Sequence, residues 1–157
     1  MTRETLTATK TINAPAERIF AVLADPTAHA SIDGTGWVQE PLDPEPLRAP
    51  GQIFKMGMYH PNHPNGRYEM SNRVIACEPP NAISWEPGYD VGDGTLHFGG
   101  WTWRYDLMVR GPDQTDVTLT YDWSSVPESQ RQHAEFPPFP PEHLYNSLHH
   151  LAEIVIP

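Results

Sequence analysis

Trp101-Thr-Trp103-Arg-Tyr105-Asp-Leu107-Met-Val109, followed after a short gap by Val117-Thr-Leu119-Thr-Tyr121-Asp-Trp123, decides the fold. Side chains alternate faces along a strand, so Trp101, Trp103, Tyr105, Leu107 and Val109 share one side. Val117, Leu119, Tyr121 and Trp123 do the same in the second run, while Arg104, Asp106, Thr118, Thr120 and Asp122 fall on the opposite, solvated side. The intervening Arg110-Gly-Pro-Asp-Gln114 reads as a turn that joins the two runs into a hairpin. Pairing Val109 with Thr115 then sets Trp103 beside Tyr121 and Trp101 beside Trp123. A dry aliphatic core would use Leu, Ile and Val here, because indole and phenol tips want polar partners when buried. Two readings follow: the wall of a cavity for a flat or greasy organic molecule, or ordinary strand aromatics in a closed core.

On either side of the hairpin the chain shows further strands and two main helices. Residues 5–12 alternate and are β-branched, which predicts a strand. Asn13-Ala-Pro15-Ala-Glu17 opens a helix, with Ile19, Phe20, Val22 and Leu23 as its buried stripe and Asp25-Pro26 as its stop. A short helical turn over about 26–31 comes next. A short strand over 37–42 and a proline-laden loop lead to 52–60, where Phe54, Met56, Met58 and His60 share a face. A strand over 67–77, a turn at Glu78-Pro-Pro-Asn81 and a strand over 82–86 follow. Residues 87–94 are glycine-rich and read as a long connection. Residues 125–140 carry few signals of either element. Leu144, Tyr145, Leu148, Leu151, Ala152 and Val155 then recur at the spacing of an amphipathic helix over about 142–156.

Composition bounds the function. The 157 residues suit one domain spanning 1–157, with a sizeable core. The net charge of -10 argues against nucleic acid and anionic membranes, whose phosphates repel an acidic surface. No apolar run reaches the length of a membrane span, and the N-terminus does not read as a signal peptide. The single cysteine, Cys77, excludes an internal disulfide and lies in a strand pattern, so a buried inert thiol in a reducing cytoplasm is expected. The 18 prolines fall between the periodic segments and punctuate an ordered fold.

Strand, helix, a succession of antiparallel strands and a closing helix make an α+β domain. Several segments carry a more specific likeness: Ile12-Asn-Ala-Pro15-Ala-Glu-Arg-Ile-Phe20 at the first strand–helix junction, Asn72-Arg-Val-Ile-Ala-Cys-Glu-Pro-Pro80 with Ile83-Ser-Trp85, Trp103-Arg-Tyr-Asp-Leu107, and Asp116-Val-Thr-Leu-Thr-Tyr-Asp-Trp123 before a closing helix. In this order they resemble the START-like (SRPBCC) helix-grip superfamily, in the polyketide cyclase/dehydrase branch. The resemblance implies a curved antiparallel sheet of about seven strands wrapped around a long C-terminal helix, with a hydrophobic cavity between them. It also implies hydrophobic ligands such as polyketides, lipids or plant hormones, and in some members cyclisation or dehydration. The family has no universal catalytic motif to carry over. The closing helix is short for the family, which leaves one end of the groove more open.

A cyclase must fold a poly-β-carbonyl chain, remove a proton beside a carbonyl and stabilise the enolate. His60 is the leading base, on the face of Phe54, Met56 and Met58, with Tyr105 and Tyr121 as hydroxyl donors. His149, on the edge of the closing helix near Leu148 and Ala152, is the second candidate base. Ligand contacts are expected from Phe54, Met56, Met58, Tyr68, Asn72, Trp85, Trp101, Trp103, Trp123, Leu148, His149 and Ala152. The parity of 67–77 stays open: either Tyr68, Met70 and Asn72 face inward, or Glu69, Ser71 and Arg73 do. His29 and Asp33 after the first helix form an acid/base pair or cap a turn, the latter favoured. No cofactor is expected, since nucleotide-binding and hydrolase motifs are absent; the histidines at 60, 63, 143, 149 and 150 show no recognised metal spacing. The competing functions are a non-catalytic carrier or sensor of a hydrophobic ligand and a co-chaperone-like interaction module. A homodimer is left open.

Overall fold

The computed structural model describes residues 4–33, 38–42, 45–59, 66–90, 95–131, 139 and 141–155. Strands run over β1 (Thr5–Ile12), β2 (Val38–Pro41), β3 (Ile53–Tyr59), β4 (Arg67–Glu78), β5 (Ala82–Asp90), β6 (Leu96–Phe98), β7 (Thr102–Gly111) and β8 (Gln114–Asp122). Helices are α1 (Ala16–Leu23), the single turn α2 (His29–Ile32) after a 3-10 turn at Pro26–Ala28, the short α3 (Glu128–Arg131) and α4 (Glu142–Val155). The strands form one antiparallel sheet in the order β1-β8-β7-β5-β4-β3-β2, with β6 beside β5. This is the α+β helix-grip architecture.

The hairpin register is the expected one: Val109 pairs with Thr115 and Trp103 with Tyr121. β1 closes against β8 from Thr5↔Asp122 to Ile12↔Thr115, so the first strand lies beside the last. The buried Thr115 hydroxyl ties this corner by donating to the Ala14 carbonyl at 2.9 Å. Pro15 caps α1 in extended backbone, which needs no donor, and Asp25 accepts from the Thr27 amide at 3.0 Å to start the next turn.

One expectation needs correction. The strand expected over 82–86 runs on to Asp90, so residues 87–90 are strand and not loop. They pair with β6, from Gly88↔Phe98 to Asp90↔Leu96. The upstream half of β5 pairs instead with β7, from Ala82↔Asp106 to Trp85↔Trp103. β6 and β7 are therefore one edge interrupted at Gly99–Gly100. Gly100 has φ +98, and a Cβ there would lie 2.4 Å from the Ser125 carbonyl oxygen. Gly100→Ala is expected to cost about 2 kcal/mol in urea denaturation, from the left-handed backbone and the clash together. A change within about 0.5 kcal/mol would mean the chain break tolerates a side chain.

α4 buries Leu144, Leu148, Leu151, Ala152 and Val155 and packs chiefly on β1, with α1, α2 and β8 beside it. The α2–α4 contact is fixed by His150 Nδ1–H, which donates to the Ile32 carbonyl at 3.2 Å. The helix thus sits over one side of the concave sheet. The inner face of β3, β4, β5 and β7 is left to enclose a hollow.

Candidate functional site

That hollow is a cavity of about 420 Å³, within the ~300–1,000 Å³ typical of small-molecule sites. Its sheet side is built by strand alternation. β3 contributes Phe54, Met56 and Met58; β4 contributes Tyr68, Met70 and Asn72; β5 contributes Trp85, Pro87 and Tyr89. Val38 of β2 and Trp101, Trp103, Tyr105 and Tyr121 complete the wall, and Leu23, His29, Ile32, Asp33, Phe139, His143 and Ser147 close it from the other side. The open parity of β4 resolves with Tyr68, Met70 and Asn72 inward, because the pairing Phe54↔Asn72, Met56↔Met70 and Met58↔Tyr68 places partners on the same face.

The rings interlock. Trp103 lies 4.6 Å from Tyr121 and stacks on Phe139 at 5.5 Å; Trp85 approaches Phe54 edge-on at 5.7 Å. The Trp101 ring folds over Gly99, where a Cβ would come within 1.8 Å of it. Burial pushes the phenols of Tyr105 and Tyr121 far up, and Tyr68 upward as well; the Asp33 charge adds to the effect at Tyr68 and Tyr105. All three hydroxyls are therefore neutral hydrogen-bond donors near pH 7 and not bases. Asn72 Nδ2 donates to the Phe54 carbonyl at 3.4 Å.

The cavity's carboxylate and imidazoles, Asp33, His29 and His143, sit opposite the sheet's aromatic wall. Asp33 Oδ2 accepts from the Val38 amide at 3.1 Å, which holds the carboxylate just past the end of α2. Its Oδ1 lies 3.9 Å from His143 Nε2, with side chains 9% and 6% exposed. The His143 ring is clasped by Phe139 at 4.5 Å and by Trp103 edge-on at 5.8 Å. His29 does not join Asp33 as an acid/base pair. Its Nε2–H donates to the Leu23 carbonyl at 2.8 Å, and its ring stacks on Trp85 at 5.2 Å.

Burial holds the His29 imidazole below its ordinary value, against the smaller upward pull of the Leu23 hydrogen bond and the Asp25 charge. The folded state therefore resists a proton that the unfolded chain accepts near pH ~6.5, so stability is complete above that pH and falls below it. Urea midpoints should drop between about pH 7.5 and about pH 5.5, and His29→Gln, which keeps a donor but cannot titrate, should flatten that drop. An equal drop in both proteins would remove His29 from the account.

The sequence-based candidates divide clearly. Phe54, Met56, Met58, Tyr68, Asn72, Trp85, Trp101, Trp103, Tyr105 and Tyr121 all line the cavity. Trp123, Leu148 and Ala152 lie in the packed core and are not among the residues that line the cavity. His149 lies on the solvent face of α4, its Nε2 2.8 Å from Glu153. His60 and His63 lie outside the described residues. Cys77 is half-buried and not fully buried, and its thiol is pushed up by burial, away from the reactive thiolate form. Among the described residues no cluster of three His, Cys, Asp or Glu side chains is arranged to hold a metal, and no helix is long and apolar enough to cross a membrane.

Sequence reasoning missed the Asp33–His143 pairing and the place of Phe139 in the wall. The available signal for His143 was its helical spacing, four residues before Ser147 and one before Leu144. That spacing puts it at the margin of the buried stripe.

Comparison with known proteins gives a consistent picture. The family profile described as Activator of Hsp90 ATPase homolog 1-like protein matches residues 13–154. An uncharacterised Mycobacterium tuberculosis protein, Rv0088, is 30% identical over 115 residues, which cover 73% of this chain and 46% of that protein. The chain thus spans about half the length of the curated relatives it matches. Among solved structures, Ms6760 from Mycobacterium smegmatis superimposes with a TM-score of 0.67 at 21% identity, over 97% of this chain and 90% of that one. CV1439 from Chromobacterium violaceum does so with a TM-score of 0.67 at 21% identity, covering 98% of each chain. These likenesses concern the fold.

Proposed function

Because the chain belongs to the Activator of Hsp90 ATPase homolog 1-like family, within the START-like helix-grip superfamily, we propose that its helix-grip cavity binds a flat, hydrophobic small molecule. The observation that carries this reading is the cavity itself: about 420 Å³ bounded on its sheet side by indole, phenol, phenyl and thioether groups. Such a surface gives a planar ligand stacking and dispersion contacts on several sides. The family's description names an Hsp90 activator. A docking role of that kind would call for a contiguous apolar face; the large exposed apolar side chains here include Met108 and Val109 on β7, Ile75 on β4, and Tyr145 and Ile154 on α4.

The finer reading is a cyclase- or dehydratase-like enzyme acting on a poly-β-carbonyl chain. The aromatic wall would fold the chain, the neutral hydroxyls of Tyr68 and Tyr105 would steady an enolate oxygen, and His143 beside Asp33 would take the proton lost from carbon. A carrier uses the same pocket without the proton transfer. The reading places the protein in the cytoplasm, in keeping with its lone cysteine.

The test is isothermal titration calorimetry with 2-methoxynaphthalene, together with native mass spectrometry of freshly purified protein. Saturable one-to-one binding, and a co-purifying apolar compound, are expected. Absence of saturable binding up to the probe's solubility limit would remove the pocket reading. Turnover of a poly-β-carbonyl substrate separates the enzyme from the carrier.

A further inference from the structure

Two hydroxyls facing the cavity have nothing in the protein to bond. Tyr105 and Tyr121 both line the hollow, and both are more than nine-tenths buried, at 5% and 2% exposed. Neither phenol oxygen has a hydrogen-bond partner among the described residues. Buried hydroxyls are ordinarily matched, so two unmatched ones beside an open space mark where a ligand atom belongs.

Their placement follows from the sheet. In the β7–β8 register Trp103 lies opposite Tyr121 and Tyr105 opposite Leu119, so the two tyrosines are diagonal neighbours on one inward face, about 7–8 Å apart along the backbone. Indole rings flank both: Trp103 lies 4.6 Å from Tyr121, and Trp85, its partner across β5 and β7, lies 6.1 Å from Tyr105. A planar ligand resting along these indoles carries its substituents past the two phenols.

What the phenols offer sets the chemistry of the substituent. Both stay protonated near neutral pH, because burial works against the phenolate and, at Tyr105, the Asp33 charge adds to it. Each therefore has a hydrogen to give. A carbonyl oxygen has two acceptor lone pairs, lies in the plane of a conjugated ring and brings no hydrogen of its own to be matched. A carboxylate would bring a charge to surroundings that already disfavour the tyrosinate, and no Lys or Arg is among the described lining residues to meet it. A plain hydrocarbon would leave both hydroxyls as they are.

We propose that the cavity selects uncharged planar aryl carbonyl compounds, whose oxygen accepts from the Tyr105 and Tyr121 hydroxyls while the ring system lies along Trp85 and Trp103. The proposal rests on the ligand-binding reading above and names its ligand class.

The experiment is calorimetry near pH ~7 with probes of one shape: 2-acetylnaphthalene, 2-isopropenylnaphthalene, in which a methylene replaces the carbonyl oxygen, and 2-naphthoate. In the wild-type protein the ketone is expected to bind about 10-fold tighter than either of the others. Tyr105→Phe and Tyr121→Phe should each lower its preference over the isopropenyl compound about 3-fold, and the double variant should bring that ratio towards unity. Because neither hydroxyl bonds the protein, the variants should melt no lower than wild type without ligand. Equal wild-type affinity for the ketone and its isopropenyl isostere would overturn the proposal and leave the pocket reading standing, and so would 2-naphthoate binding as tightly as the ketone. No saturable binding of any probe would overturn both. A preference that survives in the variants, or variants that melt well below wild type, would overturn the assignment to these two hydroxyls.

Discussion

Leu148→Ala is expected to lower the free energy of unfolding by about 3 kcal/mol, a large part of what an ordinary domain possesses. Leu148 is fully buried, as are its helix neighbours Leu144 and Leu151. These leucines seal α4 against β1 and the α1–α2 corner, so truncation removes apolar contact and leaves a void that the stiff sheet closes only in part. Guanidinium denaturation should show a lower midpoint with an unchanged slope. Tyr145→Ala on the solvent side of the same helix, where the ring is 56% exposed, should stay within about 0.5 kcal/mol. Similar small losses at both positions would mean that α4 is not seated as described, and the cavity would lose the side that His143 and Ser147 close.

Trp103→Ala should weaken 2-methoxynaphthalene binding on the order of 100-fold while costing only about 1–2 kcal/mol of stability. The ring is half-buried and lines the cavity, and it also braces Phe139 and the His143 imidazole. Its removal takes away stacking surface and loosens two further walls. Trp123 supplies the contrast. It is buried in the core and does not line the cavity. Trp123→Ala should therefore reduce stability by about 3 kcal/mol or more, with a smaller effect on affinity in whatever fraction stays folded. Unchanged affinity with collapsed stability at Trp103 would reassign that ring to the ordinary core.

The contrast between the two tryptophans shows how far strand alternation reaches. Alternation put Trp103 and Trp123 on the same inner side of the hairpin, and both are there. It also put Phe54, Met56 and Met58 with Tyr68, Met70 and Asn72 once β4 took its register beside β3. These facts are local, since the two-residue period of a strand and the order of hairpins decide which side chains share a face. The closing helix was equally legible, because its leucine spacing is the helix period itself. The break at Gly99–Gly100 was not. Nothing in a glycine pair says which backbone will press against it, and Ser125, which does so, comes from beyond the hairpin.

What periodicity could not encode is the distance between faces. Whether the aromatic side of the sheet is packed solid or stands off from the helices depends on where α4 lands, and α4 lands over β1, where Leu144, Leu148 and Leu151 join Ile19, Phe20 and Leu23 of α1 in the core. The same docking brings His143 from the last helix to Asp33 at the end of α2, a meeting of residues far apart in the chain. It also turns His149 to solvent and Leu148 into the core. The amino-acid order specified the elements, their faces and their pairing, because those are consequences of backbone geometry over a few residues. The hollow, and the polar pair within it, arose from how a twisted sheet and an off-centre helix meet, which is a property of the assembled molecule.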